Sequence, residues 1–177
     1  MIAIFRSMRR VFMNKSAAKK RLMFIQKEDY NFLAYNTIIL LNVLECTSEA
    51  KRFRDFRKIA YLIDFITEAG DPKELDQKQL AEIYSRAQIK KKLLHHLLVV
   101  LKNKKIVGVS VNETTRTIDF WLNKEMIPTD FLNSDFFQKE MDNIKKLKIA
   151  LGALRILTMK TLADKIFTQN NVLTWEV

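Results

Sequence analysis

Three glycines and two prolines are all the chain-breaking residues in 177 positions: Gly70, Gly108, Gly152, Pro72 and Pro128. Phosphate loops of the Walker and dinucleotide types need closely spaced glycines, and the sequence has none so placed. Sandwiches and barrels need a turn signal every few residues. With both excluded, the chain reads as mainly α. Its length gives one ordinary domain or two very small ones. With 48% hydrophobic and 29% charged residues, the composition is that of a folded protein. The longest uncharged stretch, residues 31–44, is shorter than the about 20 apolar residues of a membrane helix. The expectation is a cytoplasmic chain without a membrane partner.

Chemistry is hard to place on this sequence. The single cysteine, Cys46, lies beside an apolar run and reads as a small core residue. His95 and His96 are adjacent on an apolar helical stretch, where neighbouring positions point about 100° apart, so they do not jointly grip a metal. Acidic pairs such as Glu45 with Glu49 or Asp64 with Glu68 have helical spacing, which solvated helix faces produce routinely. There is no nucleophile elbow and no metal-ligand spacing. The expectation is a non-enzyme with no catalytic residues, no metal and no cofactor.

Charge is unevenly distributed. The net charge is +11, and residues 1–27 carry eight basic side chains and no acidic one. Arg6, Arg9, Arg10, Lys19, Lys20 and Arg21 are candidates for nucleic-acid contact in this arm. Apolar residues such as Phe5, Phe12 and Phe24 are interleaved with them, which suits packing on a partner. A solvated tail and a transit peptide are the other readings of the arm, although it holds only Ser7 and Ser16 where transit peptides are serine-rich.

The hydrophobic period organises the rest. Residues 29–45 read as a buried helix, and residues 48–69 as an amphipathic one with Arg52, Arg54, Arg57 and Lys58 on its other faces. Gly70, Asp71 and Pro72 end it. Asp76 with Gln79, and Ser85 with Gln88, each fit a capping box, predicting short helices over 77–84 and 86–102. Ile89, Leu93 and Leu97 mark the apolar side of the second. The period then shifts to 2 over 106–111 and 117–122, with a polar turn at 112–116 between them, as in a β-hairpin. Helices followed by a hairpin predict a winged-helix-like core. After Pro128 a single long helix is expected over 135–167, about 50 Å at about 1.5 Å per residue. The domain reading is a basic arm at 1–27, the winged-helix-like core at 28–125, and a long C-terminal helix with its tail at 126–177.

In a winged helix the third helix enters the major groove and the wing touches the backbone. Lys90 and Lys91 on that helix, Lys104 and Lys105 after it, and Arg116 at the wing tip are therefore candidates for nucleic-acid contact. Lysines read bases poorly compared with arginine, asparagine and glutamine, so phosphate contact is the better expectation. Aromatic and aliphatic residues outside the core, among them Phe131, Phe136, Phe137, Leu154, Phe167 and Trp175, exceed what a core of this size needs. Of these, Phe136, Phe137, Leu154 and Trp175 are the candidate partner-binding set.

The segments AYNTIILLNVLE, KRFRDFRKIAYLIDFI and AQIKKKLLHHLLVVLKNKKIVGVSVNETTRTIDFWL, within residues 30–122, resemble the small middle components of bacterial ABC three-component defence systems, the Lamassu small subunit in particular. The resemblance implies an adaptor that accompanies an SMC-like ABC ATPase and an effector, often a nuclease, in anti-phage and anti-plasmid defence. It implies no catalytic residue. It does not reach the arm at 1–27 or the region after Pro128. The alternative is a freestanding winged-helix transcription regulator that reads DNA as a dimer.

Overall fold

A helix that is apolar on nearly every side must be surrounded by other elements, and Lys58–Thr67 is such a helix, with all nine residues from Lys58 to Ile66 buried. A computed structural model describes residues 30–132 and 135–175 of the chain. Helix α1 covers residues 30–43 and α2 is Lys58–Thr67. Next come α3 (Gln77–Asn103), β1 (Val107–Asn112) and β2 (Thr117–Leu122), then α4 (Thr129–Leu132), α5 (Gln138–Leu151) and α6 (Met159–Ile166). The described residues are mainly helical, with one two-stranded antiparallel hairpin. Packing separates Met1–Leu33 from a second unit, Ala34–Val177, and the following concerns that second unit. Within it, α2 packs against both α3 and α5.

Local chemistry explains the boundaries. Helix α2 ends at Gly70, whose φ of 79° and amide bond to Phe65 O at 2.7 Å form a left-handed C-terminal cap. From α5, Asn143 reaches back and donates to Ile66 O at 2.8 Å, satisfying another terminal carbonyl. Helix α3 starts on the expected capping box: Gln79 N donates to Asp76 Oδ1 at 2.8 Å, and Asp76 N donates to Gln79 Oε1 at 2.9 Å.

Three expectations are corrected. The two short helices predicted over 77–102 are one helix of 27 residues. Leu80, Ile83, Tyr84, Ala87, Leu94, Leu97 and Leu101 continue one buried stripe through Ser85, so nothing stops the helix there. The stripe leaves Ile89 69% exposed, against the expected apolar side. The helix predicted over 48–69 is helical as α2 only from Lys58; before that, residues 53–56 run beside β2, with Phe53 N donating to Phe120 O at 2.8 Å and Phe56 N to Ile118 O at 3.0 Å. The long helix over 135–167 breaks at Gly152, again at φ 79°, into α5 and α6.

The hairpin is in the expected place, with Val107 opposite Leu122 and Asn112 opposite Thr117. Gly108 faces Trp121, whose indole lies where a Cβ would go; a Cβ there would come within 2.2 Å of Trp121 Cε2. Gly108→Ala forces the ring off the strand. It is expected to destabilise the chain by about 1–3 kcal/mol, read from chemical denaturation, with Ser110→Ala near neutral as the control on the same strand.

Candidate functional site

The sequence places Lys58 on an outer face of its helix; the structure buries it completely, at 0% exposure. Its Nζ donates to Leu154 O at 3.0 Å, Arg155 O at 3.2 Å and Leu157 O at 2.8 Å. An ammonium has three N–H donors, and this one has three carbonyls. They are available because the chain leaves the helical path at Gly152 and turns over residues 153–157 before α6. The same nitrogen lies 4.2 Å from the centroid of the Phe53 ring. Burial pushes Lys58 down from its ordinary 10.5 to about 7, while nearby Asp55 and Asp119 hold it up and Arg54 lowers it further. Burial also raises the Cys46 thiol to about 12, so the buried cysteine is a poor nucleophile.

Asp119, in the middle of β2, is the opposite charge of this cluster and is also fully buried. Its Oδ1 accepts from Asp55 N at 3.0 Å, and its Oδ2 from Arg52 Nε at 3.0 Å. Thr117 Oγ1 and Asn112 Nδ2 complete the shell, each at 3.4 Å. Donors placed in this way offset the hydration that a carboxyl group loses on burial. Asp119 thus clamps residues 52–55 to the hairpin, and Lys58 clamps α2 to the turn before α6.

In front of this cluster lies a cleft of about 610 Å³. Three stretches of chain supply its charge: Arg54, Asp55 and Arg57 ahead of α2, Lys91 of α3, and Lys160 in the first turn of α6. Asn112, Thr115 and Thr117 of the hairpin give a polar side, and Ile156, Leu157 and Met159 an apolar one. Four cations thus line the cleft with one carboxylate, and that carboxylate is engaged. Arg57 grips Asp55 with Nε on Oδ1 and Nη2 on Oδ2, both at 2.8 Å. The result is a positive, partly apolar concavity.

The residues singled out by sequence are distributed differently. Arg6, Arg9, Arg10, Lys19, Lys20 and Arg21 lie outside the described residues, as do Phe5 and Phe12. Lys90 is ion-paired with Asp64, which Arg86 also approaches at 3.2 Å, so two of the basic side chains in the middle of α3 are engaged within the chain. Lys91 donates to Gln88 Oε1 at 2.9 Å, sits 4.9 Å from the Tyr61 ring centroid and lines the cleft. Lys104 and Lys105 are exposed where α3 ends, and Arg116 is exposed at the hairpin tip. These positions are at opposite ends of strands about 20 Å long, so they do not converge. Leu154 is 1% exposed, and Phe167 is also buried. The chain uses both in its own core, which corrects their placement on a partner-facing surface. Phe136 is 91% exposed, whereas Phe137 packs on Tyr35 and Phe131 with ring centroids 6.3 and 5.1 Å away. Trp175 is 66% exposed, its ring edge-to-face with Tyr84 at 4.8 Å between centroids.

Sequence reasoning missed Arg54, Asp55, Lys58, Asp119 and Lys160. One signal was there to be read. Basic residues crowd the start of α2, which opposes the preference for negative charge at a helix start; the lack of a first-turn acidic residue is shared by α2, α3 and α6 and singles out none of them.

No family model matches the chain, and comparison with curated proteins and with solved structures finds no similar one. Among the described residues, no group of three His, Cys, Asp or Glu is placed to hold a metal, and no helix is long and apolar enough to cross a membrane.

The Lys58 shift has a definite sign. Its folded-state value of about 7 lies below its ordinary 10.5, so between those values the unfolded chain holds more protons and stability rises with pH. The stability of the wild type relative to Lys58→Met is therefore expected to increase from pH 7 to about 10, measured by denaturant unfolding at each pH. A flat difference would contradict a titrating Lys58.

Proposed function

We propose that this chain is a non-catalytic adaptor subunit of an SMC-like ABC ATPase complex in bacterial defence, docking the ATPase and an effector nuclease through its own surface. The resemblance over residues 30–122 supports this reading. The structural observation that carries it is the aromatic group Tyr35, Phe131 and Phe137 with the exposed Phe136 beside them in the chain. Exposed aromatics grouped in this way mark protein-binding surfaces, and their truncation typically costs about 2 kcal/mol or more at a hot spot.

The alternative, a winged-helix regulator, is supported by the order of elements. Helix α1, the bridging residue Phe53, α2, α3 and the hairpin follow one another as in a winged helix, and Phe53 pairs with Phe120 on β2. Against it stands the charge of α3. A recognition helix needs its basic side chains for DNA, whereas Arg86 and Lys90 are committed to Asp64. The adaptor reading is favoured on that ground.

On this reading an SMC-like ATPase is encoded beside the gene, whereas an isolated gene favours the regulator; the test uses the chain with that ATPase. Phe136→Ala removes an exposed ring without touching the core, so helicity by circular dichroism is expected to stay unchanged. Association with the ATPase, measured by light scattering on the co-purified complex, is expected to weaken at least tenfold. Wild-type assembly by this variant would remove Phe136 from the interface. A lone chain that binds a palindromic duplex as a dimer would favour the regulator.

A further inference from the structure

The cleft bounded by Arg54, Arg57, Lys91 and Lys160 is not needed for docking a protein at Phe136, and its chemistry is specific. We infer that it binds a small phosphorylated ligand of nucleotide size, with the phosphates between Arg54 and Lys160 and the remainder against Ile156, Leu157 and Met159.

Four features converge. The first is charge: with Asp55 chelated by Arg57, the lining adds Arg54 and Lys160, together with Lys91 held on Gln88, and no second carboxylate. Arginine and lysine together are the usual donors to phosphate oxygens. The second is the start of α6. Thr158 caps it by accepting from Thr161 N at 3.1 Å, and the first intrahelical donor is Leu162 N on Thr158 O at 3.0 Å. The amides of Met159 and Lys160 therefore come before the helix supplies acceptors, and both residues line the cleft. The third is a local cost. A lysine in the first turn opposes the helix dipole; an anion in the cleft would reverse the sign of that contribution. The fourth is size and shape. A volume of about 610 Å³ falls within the about 300–1,000 Å³ of small-ligand pockets, and a cationic rim over an apolar wall is how such pockets hold amphiphilic ligands.

The surroundings favour a small ligand over a nucleic-acid polymer. A polymer needs a track of cations along its backbone. Among the described residues, Arg86 and Lys90 are paired with Asp64, and Lys104 with Lys105 is a hairpin's length from Arg116, so these cations do not extend the cleft into a track.

The experiment measures binding of a fluorescent mant-labelled nucleoside triphosphate to the full chain, with pyrophosphate and the unphosphorylated nucleoside as competitors. A fluorescein-labelled 20-base-pair duplex runs in parallel. Lys160→Glu is the informative variant. Glutamate is favoured in a first helical turn, so the fold is expected to hold by circular dichroism and thermal unfolding while the cleft loses two units of positive charge. Lys104→Glu is the control outside the cleft. The expected result is saturable binding of the labelled nucleotide, competed by pyrophosphate and not by the nucleoside, weakened at least tenfold by Lys160→Glu and unchanged by Lys104→Glu. Absence of saturable binding up to millimolar nucleotide would overturn the inference, as would equal binding by Lys160→Glu or competition by the nucleoside alone. Duplex binding that is lost in Lys160→Glu while the nucleotide does not bind would assign the cleft to nucleic acid instead.

Discussion

A buried ammonium ties the two ends of this fold together. Lys58 opens the central helix, and its three donors take carbonyls from residues 154, 155 and 157, about a hundred positions along the chain. Removing a charge from water costs several kcal/mol, and the interior accepts it only when its hydrogen bonds are complete and counter-charge is near. Both are present here, although burial still outweighs them and lowers Lys58 to about 7. The carbonyls use every donor, while Asp55 and Asp119 lie close enough to favour the charged form. The consequence is geometric: α2 holds the Lys58 nitrogen in one place, so the turn after Gly152 must come to it.

That turn is also one wall of the cleft. Ile156, Leu157, Thr158, Met159 and Lys160 line it, and their position follows from where Lys58 holds the chain. The opposite wall is set by Asp119, which fixes Asp55 through its backbone amide, and with it Arg54 and Arg57. Two buried charges of opposite sign thus position two walls of one concavity without lining it themselves. This is a second layer of support of the kind that precise sites require. The aromatic group around Phe137 is built differently, from contacts among exposed and half-exposed rings, and it is separate from the ionic cluster in its chemistry.

Much of the architecture was legible in the sequence, for reasons visible at particular residues. The scarcity of glycine and proline gave a mainly helical chain. The Asp76 and Gln79 capping box located the start of α3, Gly70 ended α2, and the shift to period 2 located the hairpin. The errors share a cause. A periodic pattern tells which residues share a face, and it is silent about what else a backbone carbonyl might bond. Gly152 within an apolar run reads as a tolerated glycine, until a buried lysine demands the carbonyls beyond it. Ser85 reads as a cap, although Tyr84 and Ala87 carry the buried stripe straight through. The site was less legible still, because Lys58 and Asp119 are charged residues whose burial depends on partners distant in sequence. A lysine at a helix start is usually solvated, and only the position of residues 154–157 makes this one internal.

The most direct test of the Lys58 clamp is native-state hydrogen exchange on the wild type and Lys58→Met. If the ammonium holds the turn against α2, its removal loosens that corner before the rest of the molecule. The amide of Arg54, which donates to Arg155 O at 3.0 Å, and that of Phe167, which closes α6 on Ala163 O at 2.8 Å, are expected to exchange at least tenfold faster. Amides in the middle of α3 are expected to change much less. Unaltered exchange at Arg54 in the variant, or an equal acceleration throughout α3 and the hairpin, would contradict the account.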